Sequence, residues 1–283
     1  MGLTTIRQAL QDAQSRGLDR LDAQRLLLHV WGKGVHDRAW LLAHDDEALD
    51  APITAGYQQL VQRLVSGEPL AYLVGYQEFF GLRLDVDARV LVPRPDTETL
   101  VQWALDCLLA PGAADPPRVL DLGTGSGAVA LAILHSLQTV GRQAMVVAVD
   151  ASLDALAVAR KNAQRLTFDV QFVAGNWLDS VSGHFHAMVS NPPYVAAQDP
   201  HLAGLAHEPL SALTSGTDGL DDIRHIIQQA PDHLLPGGWL LLEHGYDQSV
   251  RVRALLAQRG FDQVQSRPDL AGVARCSGGQ WPG

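Results

Sequence analysis

The stretch that decides the fold runs from Val119 to Gly127 and reads Val-Leu-Asp-Leu-Gly-Thr-Gly-Ser-Gly. Its apolar start is typical of a buried parallel strand, and the glycines let the backbone turn sharply and approach a ligand closely. The G-x-G-x-G spacing differs from the G-x-G-x-x-G of dinucleotide-binding folds, and the sequence lacks the lysine of a phosphate-binding P-loop. Taken alone, the stretch fits a ligand-binding loop and an ordinary tight turn equally well.

Strands and helices alternate from Arg118 onward, which predicts a mostly parallel sheet. The expected strands are 118–122, 145–149, 169–173, 186–190 and 238–243, and the expected helices are 126–138, 152–165, 219–234 and 247–259. Two further strands, 261–266 and 271–277, follow without a helix between them, so we expect them to pair antiparallel at one edge. This order favours an α/β fold with the seven-stranded, Rossmann-like methyltransferase sheet over a dinucleotide dehydrogenase.

The region before the sheet has a different pattern. Residues 1–75 predict a small bundle of short helices, the third of them from His36 to Ala43. Residues 76–95 predict a β-hairpin linker with strands at 79–86 and 89–92, and residues 96–283 form the sheet domain, whose first helix, 97–109, we expect Asp96 to cap. The bundle fits a partner-docking domain and a scaffold without specific contacts equally well.

Composition narrows the classes of function. The chain has 283 residues, 47% of them hydrophobic, and a net charge of −10, which argues against a broad surface for nucleic acid. Cys107 and Cys276 form no disulfide framework, which is typical of reduced thiols in the cytoplasm. The sequence shows no signal peptide and no apolar run of about 18 residues that could span a membrane. His184 and His186 stand without a carboxylate or cysteine cluster, so we expect no metal.

Acidic and aromatic residues follow the first three strands of the sheet domain. Asp121 precedes the glycine loop, where a carboxylate could meet an ammonium group. Asp150 ends the next strand, where an acid can bind both ribose hydroxyls. Asn176 and Trp177 follow the third strand, where an adenine would lie, although Trp177 fits a core position too. Together these residues suit S-adenosylmethionine.

The stretch Asn191-Pro192-Pro193-Tyr194 ends the fourth strand with a stiff loop, because neither proline can donate to a ladder. Such a loop can grip a planar –C–NH2 group. Asn191 Oδ1 could accept one N–H, the Pro192 carbonyl could accept the other, and Tyr194 could stack on the plane. An ordinary Asx-Pro turn is the alternative.

These motifs resemble those of the HemK-type protein-(glutamine-N5) methyltransferases. The resemblance rests on the glycine loop 123–127, Asp150, Trp177, the stretch 191–194, and further matches at 93–98, 208–220, 243–245 and 267–275. It covers nearly the whole chain. It implies methylation of the glutamine in the Gly-Gly-Gln motif of class 1 peptide chain release factors. The methyl donor would be S-adenosylmethionine and the product S-adenosylhomocysteine. Asn176 departs from the pattern, since we expect an acid beside the adenine.

The residues and the resemblance together give a set of candidate sites. The cofactor would be held by Asp121, Gly123, Thr124, Gly125, Ser126, Gly127, Asp150, Asn176, Trp177 and Asn191. The substrate would be held by Asn191, Pro192, Pro193, Tyr194 and Arg94, with Asn191, Pro192 and Tyr194 acting in catalysis.

Two rival functions remain open at this point. The first is an adenine-N6 or guanine-N2 methyltransferase that acts on DNA or RNA, because the same tetrapeptide can grip an exocyclic amine. The second is a module that binds the cofactor without chemistry. We expect a monomer with release factors as partners and no direct contact with nucleic acid or membrane. The tail also contains Gly278-Gly279-Gln280, a copy of the substrate tripeptide that we attribute to chance.

Overall fold

The structure, a computed structural model, describes residues 4–34 and 37–283. The chain divides into two compact units. The first contains the residues up to Tyr76 together with Gly204–His207, and the second contains Gln77–Ala203 and Glu208–Gly283. In the structure, most of the stretch 76–95, which we predicted as a linker, therefore belongs to the second unit.

The first unit is helical. Its helices are α1 (Ile6–Ser15), α2 (Arg20–Val30), α3 (Arg38–Ala43), α4 (Ala51–Val65) and α5 (Leu70–Val74). The predicted start of the third helix at His36 lies outside the described residues.

Side-chain caps and a shared core hold these helices. Thr5 and Gln8 form a capping box at α1, and Asp19 and Asp50 accept backbone N–H groups at the starts of α2 and α4. The helices are short, so packing rather than intrinsic propensity stabilises them. The buried side chains of this core include Ile6, Ala13, Leu26, Leu27, Leu41 and Tyr57.

The hairpin that follows turns earlier than the sequence suggested. Its strands are β1 (Tyr76–Phe79) and β2 (Leu82–Asp85), so the predicted strands 79–86 and 89–92 were wrong. Phe80 and Gly81 both have positive φ, 48° and 77°, as the tight two-residue hairpin turn requires. Because the turn occupies 80–81, residues 89–92 have no strand to pair with in the described chain and run as an irregular segment.

The second unit is a seven-stranded sheet flanked by helices, as predicted. The strands are β3 (Arg118–Leu122), β4 (Met145–Asp150), β5 (Gln171–Ala174), β6 (Phe185–Ser190), β7 (Leu234–Glu243), β8 (Asp262–Pro268) and β9 (Ala274–Gln280). The helices are α6 (Glu98–Leu108), α7 (Ala128–Thr139), α8 (Leu153–Leu166), α9 (Asp221–Gln229) and α10 (Ser249–Arg259).

The order of the strands is β5-β4-β3-β6-β7-β9-β8. The first five of them are parallel, and β9 pairs antiparallel with both β7 and β8, which confirms the predicted terminal hairpin at one edge. From β3 the chain adds β4 and β5 on one side and then crosses over to add β6 and β7 on the other side, so the direction of strand addition reverses at β3. Open α/β sheets bind ligands at such a switch point, beyond the carboxyl ends of the strands.

Both faces of the sheet are buried, which explains why its central strands are apolar throughout. On β3, Val119 packs into the core under α6 and α7, whereas Leu120 packs into the opposite core with α9 and α10. On β6, Val189 and Met188 alternate in the same way. This two-residue alternation fixes the register of the strands, and with it the positions of the residues at their ends.

Two helix boundaries in the second unit also differ from the prediction. A 3-10 turn covers Pro95–Thr97 before α6 begins, and the Asp96 carboxylate lies 3.2 Å from the Arg275 guanidinium instead of capping the helix, so the predicted cap was wrong. The predicted helix 219–234 ends at Gln229 and continues as a 3-10 turn. In the described part of the chain, no helix is long and apolar enough to cross a membrane.

Candidate active site

A cavity of about 330 Å3 lies in the second unit at the carboxyl ends of β3 to β6. Segments from distant parts of the chain form its wall because parallel strands all end at the same edge of the sheet. The predicted site residues in its lining are Asp121, Gly123, Thr124, Gly125, Ser126, Asp150, Asn176, Trp177, Asn191 and Pro193.

The glycine loop is tied down by backbone hydrogen bonds. The Gly123 and Thr124 N–H groups both donate to the Val149 carbonyl, at 2.9 Å each. Gly123 has φ +71°, and a Cβ atom there would lie 3.1 Å from the Trp177 ring. A side chain at Gly123 would strain the backbone and crowd the Trp177 ring, and the hydrogen bonds to Val149 hold the loop in place.

Asp121 is a buried carboxyl at the floor of the cavity. One of its oxygens accepts from the Thr124 hydroxyl at 2.6 Å and from the Ala130 N–H at 3.2 Å. Burial and the charge of nearby Asp150 raise the pKa of Asp121 and the two hydrogen bonds lower it, with a net value of about 6. A cationic partner would stabilise the ionised form of this buried carboxyl.

Asp150 joins the glycine loop to the start of α8. One carboxylate oxygen accepts from the Gly125 N–H and the other from the Ser152 N–H, at 2.8 Å each. Burial raises the pKa of Asp150, and these two hydrogen bonds oppose that shift. Each oxygen keeps a further lone pair, so the carboxylate can accept from two hydroxyl groups at once.

Trp177 is held by a residue that the sequence analysis did not single out. Its indole N–H donates to Asp222 Oδ1 at 2.9 Å, and Asp222 itself lines the cavity. Asn176 lines the cavity as well and is exposed. Asp222, from the start of α9, therefore brings an acid into the cavity next to Trp177. The resemblance led us to expect an acid at the neighbouring position, where this chain has Asn176. The acidic pair Asp221-Asp222 at the start of that helix was the only signal in the sequence.

Asn191 carries the most informative polar atom of the site. Its Nδ2 donates to the Thr97 hydroxyl oxygen at 3.1 Å. Its Oδ1 is buried and has no hydrogen-bond partner within residues 4–34 and 37–283. We call this atom the open acceptor. A buried oxygen without a partner is destabilising by about 1–3 kcal/mol, and Asn191 is a residue of the cavity lining, so a ligand with an N–H or O–H group is the expected partner of this atom.

Four predicted residues lie outside the lining of the cavity. The Tyr194 hydroxyl donates to Glu243 Oε1 at 3.3 Å, and its ring packs at the edge of the core formed with α9 and α10. Arg94 forms an ion pair with Glu208. Pro192 is buried. A Cβ atom at Gly127 would lie 3.1 Å from Leu131 Cδ1 and 3.3 Å from Ala159 Cβ, so this glycine has a packing role.

The Gly278-Gly279-Gln280 stretch near the end of the chain belongs to the sheet. Gly278 and Gly279 belong to β9, and a Cβ atom at Gly278 would lie 2.6 Å from Leu241 Cδ2. The Gln280 side chain donates to the Gly237 carbonyl at 2.9 Å. Close packing accounts for Gly278 and Gly279, and a hydrogen bond accounts for Gln280. The described residues also contain no cluster of three or more histidine, cysteine, aspartate or glutamate side chains that could hold a metal.

Comparisons with known proteins agree with this geometry. Residues 104–265 match the family model of the methyltransferase small domain, and residues 3–75 match that of the PrmC N-terminal domain. The crystal structure of a methyltransferase from Pyrococcus furiosus is similar in fold, with a TM-score of 0.55 and 19% identity, and the match covers 80% of this chain and 99% of that one.

Curated relatives are much closer in sequence. The release factor glutamine methyltransferase of Bordetella pertussis is 47% identical over 98% of this chain and 99% of its own length. The protein of the same name from Burkholderia pseudomallei is 47% identical over 94% of this chain and 93% of its own. With identity at this level over almost its whole length, the chain belongs to the family of release factor glutamine methyltransferases.

Proposed function

We propose that the enzyme transfers a methyl group from S-adenosylmethionine to the side-chain amide nitrogen, N5, of the glutamine in the Gly-Gly-Gln motif of class 1 release factors. The observation that carries the proposal is the open acceptor of Asn191, a residue that lines the same cavity as Asp121 and Asp150. The family supports it, because the curated relatives are named release factor glutamine methyltransferases.

The acids and the glycine loop fit the cofactor. Asp121 would bind the ammonium group of the methionine part, Asp150 the ribose hydroxyls, and Trp177 with Asn176 the adenine. The fixed loop lets the backbone approach without a side chain in the way. When bound, S-adenosylmethionine supplies a methyl group on a positively charged sulfur, which is the electrophile of the reaction.

The Asn191 loop would prepare the nucleophile. An amide nitrogen is a weak nucleophile because its lone pair is delocalised, as the rotation barrier of about 18–20 kcal/mol reports. The open acceptor would take one N–H of the target amide, and the Pro192 carbonyl the other. Both groups hold the nitrogen in place and stabilise the positive charge that develops on it. No strong base is needed, because a protonated N-alkyl amide is very acidic.

The roles of the residues outside the cavity remain proposals. Stacking of Tyr194 on the substrate and contact of Arg94 with the release factor are both predictions. We also propose that the enzyme acts as a monomer in the cytoplasm; its two cysteines are free, in keeping with a reducing compartment.

Mass spectrometry of a release factor after incubation with the enzyme and S-adenosylmethionine tests the proposal. We expect one methyl group on the Gly-Gly-Gln glutamine. A release factor with glutamate at that position should not react, because it has no N–H and no nucleophilic nitrogen, and one with asparagine should react poorly. Transfer of labelled methyl to DNA or RNA but not to the release factor would contradict the proposal.

We further propose that the helical unit docks the release factor. If the sheet unit stays folded after deletion of residues 1–75, cofactor affinity should survive. Methylation of the whole release factor should then fall more than methylation of a short Gly-Gly-Gln peptide. Equal losses on both substrates would contradict a docking role.

A further inference from the structure

The side chain of Gln248 joins three backbone segments of the sheet unit. Gln248 directly precedes α10, is 4% exposed and is not among the residues that line the cavity. Its Nε2 donates to the Tyr194 carbonyl at 3.0 Å and to the Asp218 carbonyl at 3.4 Å. Its Oε1 accepts from the Gly245 N–H at 2.8 Å. Both polar atoms of this buried amide are therefore bonded to the backbone.

The three partners fix the orientation of the Gln248 amide. Carbonyl oxygens only accept and a backbone N–H only donates, so a reversed amide would place its oxygen against two carbonyls and its NH2 group against the Gly245 N–H. Because all three partners are backbone groups, no change of protonation in a neighbouring side chain can exchange these roles. The bonds to Tyr194 and Asp218 therefore depend on a donor at this position.

The turn that carries Gln248 is itself held to the sheet. The Gly245 carbonyl accepts from the Gln248 N–H at 3.0 Å and lies 2.9 Å from His244 Nδ1, which must carry the proton. Burial lowers the pKa of His244, so its ring is neutral and Nε2 accepts from the Ser277 hydroxyl on β9 at 2.7 Å. The amide of Gln248 thus projects from an anchored turn.

The position of the Tyr194 carbonyl constrains Asn191. Only Pro192 and Pro193 lie between these two residues, and their rings lock two of the φ angles in the connection. Pro192 restricts the backbone of Asn191 as well. Few dihedral angles remain free, so a bond that fixes the Tyr194 carbonyl also limits where the Asn191 amide and the Pro192 carbonyl can lie.

Gly219 shows how closely this junction is packed. It has φ +76°, and a Cβ atom there would lie 2.2 Å from the Tyr194 oxygen and 2.8 Å from Gln248 Nε2. A side chain at position 219 would therefore push the Tyr194 carbonyl away from its donor. The glycine permits the close approach on which the bond between Gln248 and Tyr194 depends.

We propose that Gln248 is a positioning residue, which holds the loop from Asn191 to Tyr194 in the geometry that methyl transfer requires. The inference rests on the proposed function, since it assumes that Asn191 binds the target amide. A displacement of about 1 Å at a reacting group can lower a rate about 10²-fold, so loss of this bond should slow the reaction although no group that lines the cavity is removed.

The first test is the single-turnover rate of methyl transfer at saturating S-adenosylmethionine and saturating release factor. Gln248→Met keeps the length of the side chain but has no amide, and it should be about 10–10²-fold slower than the parent. Its cofactor affinity, measured by calorimetry, should change by no more than about threefold, because the cofactor-end carboxylates keep their bonds. A purely structural residue would change stability and leave the rate of the folded enzyme unchanged. Gln258→Met, at an exposed position of α10, is the matched control and should react at the parent rate.

The second test uses Gln248→Glu, whose donor depends on pH. When ionised, the new carboxylate can accept from Gly245 but cannot donate to the Tyr194 carbonyl, whereas its protonated form can do both. Burial beside carbonyl oxygens should raise the pKa of this carboxyl above its usual value of about 4.3. The ratio of the variant rate to the parent rate should therefore rise as pH falls from about 8 to about 6. His244 and Glu243 are present in both proteins, so their titration cancels in the ratio. The ratios for Gln248→Met and for the control Gln258→Glu should not change with pH.

A third variant approaches the same bond from its other side and leaves Gln248 in place. Gly219→Ala should displace the Tyr194 carbonyl and slow methyl transfer. Gly260→Ala is the matched control, because Gly260 also has a positive φ, +100°, but its Cβ would meet no atom closer than 3.7 Å. This control should react at the parent rate. Cofactor binding by calorimetry shows which of the variants are folded.

The outcomes separate this inference from the proposed function. If the parent methylates the release factor and folded Gln248→Met reacts at the parent rate, or the Gln248→Glu ratio does not rise at acid pH, the positioning role is wrong and the proposed function stands. If the variants at 248 do not fold, Gly219→Ala decides: a slow folded protein supports the inference, and a parent-like rate or a failure to fold overturns it. If the parent methylates no release factor, the proposed function is wrong and the inference with it. Slow transfer in Gln248→Met, near-normal cofactor affinity and acid recovery in Gln248→Glu together support the inference.

Discussion

The two ends of the cavity differ in how their polar groups are satisfied. At the cofactor end, which we define by Asp121, the glycine loop and Asp150, carboxylates and N–H groups bond to one another and to the backbone. At the substrate end, defined by Thr97 and Asn191, the open acceptor is buried and unused. The first end is held by hydrogen bonds within the protein. At the second end no donor of the described residues bonds to the open acceptor, so a donor on a bound amide can do so.

The difference predicts that each end controls a different step. Changes at the cofactor end should lower affinity for S-adenosylmethionine. Changes at the substrate end should lower the rate of methyl transfer once the cofactor is bound. Four variants can break or sharpen this contrast.

The largest effect is expected for Asn191→Ala, which deletes the open acceptor. Loss of one preorganised electrostatic partner commonly lowers the rate by about 10²–10³. Single-turnover transfer followed by mass spectrometry measures the loss. Asn191→Asp keeps an acceptor in nearly the same place and should retain partial activity. A parent-like rate in Asn191→Ala would show that the open acceptor does not bind the substrate.

Asp150→Ala should produce the next largest change, in cofactor affinity. Hydrogen bonds to a charged group contribute about 1.5–3 kcal/mol, so loss of the ribose contacts should weaken binding by about 10–100-fold. Calorimetry measures the affinity of the variant for S-adenosylmethionine. Asp154→Ala, an exposed acid in the first turn of α8, is the matched control and should bind normally. Unchanged affinity in a folded Asp150→Ala protein would refute the ribose assignment.

Asp121→Asn should weaken cofactor binding by about tenfold, since a neutral amide cannot pair with an ammonium group as a carboxylate does. In the cofactor-free protein the effect on stability has the opposite sign. Burial raises the folded-state pKa of Asp121 to about 6, so the stability that its neutral form contributes is complete below the unfolded value and is lost as pH rises through about 6.

Above that pH the Asp121→Asn variant should therefore be more stable than the parent, by at most about 3 kcal/mol. Thermal unfolding at about pH 5 and pH 8, with and without cofactor, checks both signs. A variant that is less stable than the parent at the higher pH without cofactor would contradict this account of the buried carboxyl.

Asp222→Ala should have the smallest effect, a few-fold loss of cofactor affinity. It frees the Trp177 indole, whose hydrogen bond contributes about 0.5–1.5 kcal/mol. Asp221→Ala changes the neighbouring acid, which pairs with Arg224 at the surface, and serves as the control. Equal affinities in the two variants would indicate that Asp222 does not support the cofactor end.

The fold was largely predictable because its signals are local. Each of these signals lies in neighbouring residues of the sequence. They are the apolar strands, the glycine loop from Gly123 to Gly127 and the capping residues. The boundaries that failed depend on distant contacts. The hairpin turned at Phe80-Gly81, where a bulky residue adopts a positive φ, and Asp96 pairs with Arg275 from β9 instead of capping a helix. Neither the positive φ of Phe80 nor the pairing of Asp96 with Arg275 can be predicted from the neighbouring residues.

The site residues at the ends of strands could be predicted from the sequence, whereas those that come from other elements could not. Asp121 and Asp150 lie at the carboxyl ends of apolar strands and Asn191 directly follows one, so their positions follow from the fold. Thr97 and Asp222 line the cavity from a 3-10 turn and from the start of a helix. Their roles depend on partners far away in the sequence, which only the tertiary structure brings together.

The most direct test of the division of labour compares two variants by one measurement, the single-turnover rate of methyl transfer at saturating cofactor. We expect Asp150→Ala, once saturated, to react within about threefold of the parent, whereas Asn191→Ala should remain slower by about 10²–10³. Equal rates in the two saturated variants would contradict it, because the two ends of the cavity would then not control separate steps.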